Sequence, residues 1–217
     1  MSLLLVSFSL FSQETKKKVF EQNKKIVIEH SDFIDMNQHE IPGAIVFTGN
    51  VSVLHNGIQI KCNKAYHFKD DDYIKAFGNV QLNQGDSIFM NSRYAEYNGK
   101  TEFAFATGDV NLRSPESTLV TDTVFFDKKR QEAYYNSFGT IRNKENTLKS
   151  KSGKYYVSEK KYQFNSAVTV TNPQSTIKTN HLDFYENSGH AYVFGPSTIT
   201  SKENVIYTEK GFYDTKT

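Results

Sequence analysis

The sequence predicts an all-β chain, an antiparallel repeat sheet built from short strand–turn–strand units, and three observations predict it. Two segments recur in phase at an interval of ~29 residues. Each alternates apolar and polar residues with period two, the pattern of a strand with one buried face. The composition, 37% hydrophobic and 14% aromatic with 13 Tyr, 17 Phe and no Trp, favours strands, because branched and aromatic side chains pack well on a pleated surface. A formal net charge of +2 supplies no field that would attract nucleic acid, and none is expected as a partner.

The first residues differ from the rest. Leu3, Leu4, Leu5, Val6, Phe8, Leu10 and Phe11 form an apolar run too short to span a bilayer, followed by Gln13, Glu14 and Lys16 to Lys18. This is the pattern of a secretory leader, so residues 1–12 are expected to be a signal peptide and the repeat domain to occupy 26–217. Two features depart from the pattern: no Lys or Arg precedes the run, and Leu10 is large for its place before a cut after Ser12. The lone cysteine, Cys62, cannot form an internal disulfide and reads as a buried small side chain.

The first repeated segment has the form apolar, any, small or soft, polar. It occurs as Ile60-Lys61-Cys62-Asn63, Ile88-Phe89-Met90-Asn91, Leu119-Val120-Thr121-Asp122, Leu148-Lys149-Ser150-Lys151, Ile177-Lys178-Thr179-Asn180 and Ile206-Tyr207-Thr208-Glu209. Its leading positions lie 28, 31, 29, 29 and 29 residues apart. About ten residues before each copy comes a second segment. It reads Gly49-Asn50-Val51-Ser52-Val53, Gly78-Asn79-Val80-Gln81-Leu82 and Gly108-Asp109-Val110-Asn111-Leu112, then more loosely at Gly139, Ser166 and Gly195. An aromatic cluster follows each first segment, from Tyr66 and Phe68 to Phe212 and Tyr213. Six copies of two signals in phase establish a repeat.

Turn residues such as Asn56-Gly57, Gln84-Gly85-Asp86, Asn98-Gly99 and Asn172-Pro173 separate the segments. Connections this short suit antiparallel neighbours, giving thirteen strands of roughly ten residues. A glycine in mid-strand invites a bend there. Bent strands stacked in register make a sheet folded like a V with one inside surface. That surface is expected to carry Val51, Val53, Ile60, Cys62, Val80, Leu82, Ile88, Met90, Val110, Leu112, Leu119, Ile141, Leu148, Val168, Val170, Ile177, Ile199 and Ile206. The same residues would serve a closed, ligand-free core, and periodicity does not separate the two.

The Gly-Asn-Val segment, the Ile-x-small-Asn segment and the aromatic that follows, recurring over Ile26 to Asp214, resemble the OstA-like family. Ser166, Ser197 and Lys151 depart from its pattern. The resemblance implies an elongated β-jelly-roll (β-taco) in the periplasm, associated with the outer membrane. Its apolar groove would hold the acyl chains of lipopolysaccharide or lipid A, with all the inward residues above except Cys62 as candidate lipid contacts. Its edges would join LptC-like and LptD-like transport proteins or, head to tail, a second copy. It also implies no enzymatic activity and no cofactor.

The remaining residues point to no chemistry. The six histidines lack zinc-site spacing, and Asp70-Asp71-Asp72 lacks the glycine and terminal glutamate of a calcium loop, so no metal is expected. No nucleophile elbow or phosphate loop occurs. Two other classes stay open: a structural or adhesive β-repeat protein binding glycans or partner proteins, and a polysaccharide-acting enzyme on a repeat scaffold. Few acids fall at inward positions, which counts against the second.

Overall fold

The computed structural model describes residues 25–36, 39, 41–85 and 88–214; the expected leader at 1–12, Asp86 and Lys216 lie outside them. The described residues are almost entirely antiparallel strands: β1 (Val27–His30), β2 (Phe33–Asp35), β3 (Ile45–His55), β4 (Ile58–Phe68), β5 (Tyr73–Gln84), β6 (Ile88–Asn98), β7 (Phe103–Arg113), β8 (Thr118–Asp127), β9 (Glu132–Tyr135), β10 (Gly139–Arg142), β11 (Thr147–Ser150), β12 (Ser152–Tyr156), β13 (Lys161–Thr171), β14 (Ser175–Tyr185), β15 (His190–Ser201) and β16 (Val205–Asp214). A 3-10 turn at Lys69–Asp71 links β4 to β5.

Three pairs of segments are single strands interrupted at a bend. β1 and β2 both pair with β3, β11 and β12 both pair with β13, and β9 and β10 pair with β12 and β11 in turn. The sixteen segments are therefore the thirteen expected strands.

Two compact units divide the chain. One comprises the described residues up to Pro115 together with Phe125–Arg130; the other comprises Glu116–Val124 and the described residues from Gln131. In the first, β3 to β7 pair in sequence order behind β1 and β2. In the second, β10, β11, β13, β14, β15 and β16 follow one another, with the start of β8 beside β10.

The register of the long strand pairs shifts at mid-strand, where one strand of each pair carries a bulge. Gly49-Asn50 opposes the single residue Asn63, Gly78-Asn79 opposes Arg93, and Ser166-Ala167 opposes Asn180. Two residues facing one bend the bulged strand and sharpen its twist. Both bulge residues are left-handed: Gly78 has φ 71° and Asn79 47°, and Ser166 and Ala167 stand at 63° and 52°. Glycine and asparagine accept that region, whereas serine and alanine are strained there. The departure from glycine at Ser166 leaves the geometry intact.

The partner strand turns the same corner with a side-chain bond. Its small residue donates to a backbone carbonyl two residues on: Cys62 Sγ to Lys64 O at 3.2 Å, Ser92 Oγ to Tyr94 O at 3.1 Å, Ser150 Oγ to Ser152 O at 3.0 Å, Thr179 Oγ1 to His181 O at 3.2 Å and Thr208 Oγ1 to Lys210 O at 2.6 Å. This explains the small or soft position of the repeat, and it corrects one copy. The equivalent of Cys62 is Ser92, so Met90, not Ile88, corresponds to Ile60. The register agrees, since Ile60 pairs with Leu82 and Leu82 with Met90. The leading positions become 60, 90, 119, 148, 177 and 206, so the intervals of 28 and 31 become 30 and 29.

Candidate functional site

In the first unit the inward face of one half of each strand is aliphatic. Val53, Ile60, Leu82, Met90 and Leu112 form one cross-strand row through β3 to β7. Val51, Val80 and Val110 lie one step nearer the bend, each at most 1% exposed. Ile88 is buried beyond the row, opposite Gln84.

The other half of these strands carries a wall the sequence reading missed. Ala65 pairs with Ala76, Ala76 with Ala95 and Ala95 with Ala106, so four alanines line up across β4 to β7. Phe47, Ala65, Ile74 and Ala76 of this half share one buried cluster with Val51, Val53, Cys62 and Val80 of the aliphatic half. Residues on either side of a bend can share a core only if the halves face each other. Small side chains on one wall let the two approach closely. The signal was present in the sequence, one alanine per strand, but alanine fits any environment and was not singled out.

Burial agrees with this closed arrangement. Cys62 is buried, and desolvation first of all raises its thiol pKa; backbone bonds from Phe77 and Lys64 work the other way. His67, at 7% exposure against Phe47, has its pKa lowered by burial, with Asp72 opposing and Lys69 assisting.

The second unit repeats the aliphatic wall over more strands. Leu119, Ile141, Leu148, Val170, Ile177, Ile199 and Ile206 pair consecutively from β8 through β10, β11, β13, β14 and β15 to β16. Val168 sits beside Val170 and is buried. The other half of these strands buries aromatic rings together with Leu182, Ala191 and Val193. Tyr155 stacks on Tyr162 at 4.3 Å, Tyr162 lies 6.2 Å from Phe184, and the Tyr162 hydroxyl donates to Glu186 at 2.9 Å. Near the bend Tyr135 lies over Gly139 and Gly153, where a Cβ would meet its ring at 2.4 and 2.6 Å. The Tyr135 hydroxyl meets Ser150 Oγ at 2.6 Å, and burial pushes its pKa up to about 12.

The candidate inward residues thus group into one aliphatic wall per unit. Most are buried; Ile60, Leu82 and Ile199 are half-buried, and Ile206 on β16 is 53% exposed. A recess of about 450 Å³ at the first unit's bend is lined by polar side chains, among them His30, Asn50, Gln59, Lys61 and Asn63, together with Val51 and Cys62 of the aliphatic half.

The outward face carries its own pattern. Tyr66, Phe77, Tyr94, Phe105 and Phe125 form a ring ladder with centroids 4.7, 4.9, 6.0 and 6.0 Å apart. The Tyr73 and Tyr94 hydroxyls both donate to Glu96, and burial first, then that carboxylate, holds both phenols well above their usual range. Among the described residues no three His, Cys, Asp or Glu side chains converge as a metal site would require.

A family model described as OstA-like protein matches residues 23–180. The chain resembles the crystal structure of LptH, the LptA homologous periplasmic component of the conserved lipopolysaccharide transport device from Pseudomonas aeruginosa. Identity is 17% and the TM-score 0.42, over 46% of this chain and 76% of that one. No curated protein matches the chain.

Proposed function

The chain belongs to the OstA-like family, and from that membership we propose that it is a periplasmic transport or bridge protein holding lipopolysaccharide acyl chains between its walls. The observation that supports this reading most is the cross-strand apolar row, seven residues long in the second unit. Such a row offers many near-equivalent positions, so a bound chain could shift from one strand to the next without leaving an apolar surface.

The energetics are favourable in outline. Burying each methylene is worth about 0.8 kcal/mol, so a chain of a dozen methylenes gains on the order of 10 kcal/mol by leaving water. Parting the walls exchanges wall-on-wall contact for wall-on-lipid contact, and much of the protein's own burial is recovered. The sugars and phosphates stay at the mouth. In this reading residues 1–12 direct export and the mature repeat works in the periplasm, as a non-enzymatic protein without a cofactor. LptC-like and LptD-like proteins, or a second copy, add to β16, which pairs with β15 alone among the described residues. Val205, Ile206, Tyr207 and Phe212 of β16 are more than half exposed, and a sheet edge invites strand addition.

Native mass spectrometry of the protein expressed in a periplasm, with lipopolysaccharide or lipid A titrated in, tests the proposal. Retained lipid at stoichiometric ratio is the expected result. A bare protein across the whole titration rejects the carrier reading and leaves the fold untouched. One observation favours a second reading, an adhesive repeat protein: the outward ring ladder of the first unit over a closed core. Glycan retention without lipid in the same experiment would select it.

A further inference from the structure

The mouth of the first unit is fastened by two polar contacts that join its opposing walls. His55 ends β3 on the aliphatic side; Tyr97 lies near the end of β6 on the alanine side. In a flat sheet β3 and β6 are three strand spacings apart, about 14 Å. Yet the Tyr97 hydroxyl is 3.1 Å from His55 Nε2, and the rings lie 5.0 Å apart. Nearby, the Ile26 backbone N–H, leading into β1 on the aliphatic side, donates to Asp72 Oδ1 at 3.2 Å, at the β4–β5 turn on the alanine side. Ile26 belongs to the buried cluster that holds Val53, Cys62 and Ile74, and Tyr97 packs against it.

We propose that His55–Tyr97 and Ile26–Asp72 form a latch that gates access to the interior of the first unit. The latch is built to be weak. Asn56 Nδ2 donates to the same His55 Nε2 at 2.8 Å, which leaves Tyr97 a shared acceptor. The other ring nitrogen, Nδ1, is buried with no hydrogen-bond partner among the described residues. A buried, unsatisfied N–H makes the closed state costly, so part of what closure gains is given back each time the mouth shuts. A strong lock would have paired both nitrogens. The gating role rests on the lipid-carrier reading; the latch itself is a property of the fold.

Cys62 reports on it, because this lone thiol is buried inside the closed walls. The experiment measures maleimide labelling of Cys62 in the full mature chain without lipid. It compares the native protein with Tyr97→Phe, Asp72→Gly and the double variant. Asp72 has φ 49°, which glycine adopts freely, so that substitution removes the carboxylate without straining the turn. Each single variant is expected to label about fivefold faster, and the double variant faster than either, as the loss of one net hydrogen bond apiece predicts. The increase must exceed any change in urea midpoint. Rates equal to the native protein overturn the latch, as does an equal increase in Tyr94→Phe, which alters only the outer face. Lipid retention is read separately. Faster labelling with no lipid bound keeps the latch and removes the carrier; unchanged labelling with lipid bound does the reverse.

Discussion

At Gly78 and Asn79 the backbone is left-handed in two consecutive residues, and the cross-strand neighbour Asn63 lies directly over the glycine. A Cβ on Gly78 would stand 2.9 Å from Asn63 Nδ2. Gly78→Ala is therefore expected to cost about 2 kcal/mol, combining left-handed strain with displacement of Asn63. The same bend is reached at Ser166 and Ala167 by residues that resist it. Ser166→Gly removes strain there and is expected to gain about 1 kcal/mol, a rise of roughly 2–4 °C in melting temperature for a chain of this size. Thermal melts of the two variants check both signs, and a stabilising Gly78→Ala would mean that the bends do not depend on left-handed residues.

The bent strand is the repeating element, and its charge response follows from what the walls bury. His67 is neutral in the fold because burial lowers its pKa below 6.5. The unfolded chain binds that proton first as pH falls, so the contribution is complete above about pH 6.5 and is lost as pH drops toward the lower folded value. Urea midpoints at pH 7.5 and 5.5 should therefore fall less in His67→Phe than in the native chain; an identical fall would assign the acid sensitivity elsewhere. Much of this element was legible in the sequence. Alternation exposed the strands, glycine marked the bend in the first three units, and the small residues typified by Cys62 and Thr179 marked its other side. Phase was the difficulty at β6: Ile88 and Met90 are both apolar, on one face and two apart, and the Ser92 bond and the strand register settle which begins the unit. The alanine wall was not legible, because a residue compatible with every environment carries no periodic signal. Nor was the parity change between Ile177 and Leu182, which exists only because a single residue faces a two-residue bulge.

At the scale of the molecule, the two units use one plan with different linings, a row of alanines facing the aliphatic wall in the first and a set that includes the stacked rings of Tyr155, Tyr162 and Phe184 in the second. The OstA-like match ends at residue 180, yet β15 and β16 continue the same register, with Ile199 and Ile206 extending the row. The departure at Ser197 is absorbed by bonding, its Oγ meeting Thr179 Oγ1 at 2.8 Å and Gly195 O at 2.7 Å. The central claim is that acyl chains occupy the space these inward rows enclose, and site-specific photocrosslinking addresses it most directly. A benzophenone side chain replaces Leu82 or Ile199, inward and half-buried and so tolerant of its bulk, or the outward neighbours Gln81 and Thr198. After irradiation with lipopolysaccharide, adducts are predicted at 82 and 199 and not at 81 or 198. Adducts at the outward pair alone, or equally at all four, would contradict the account.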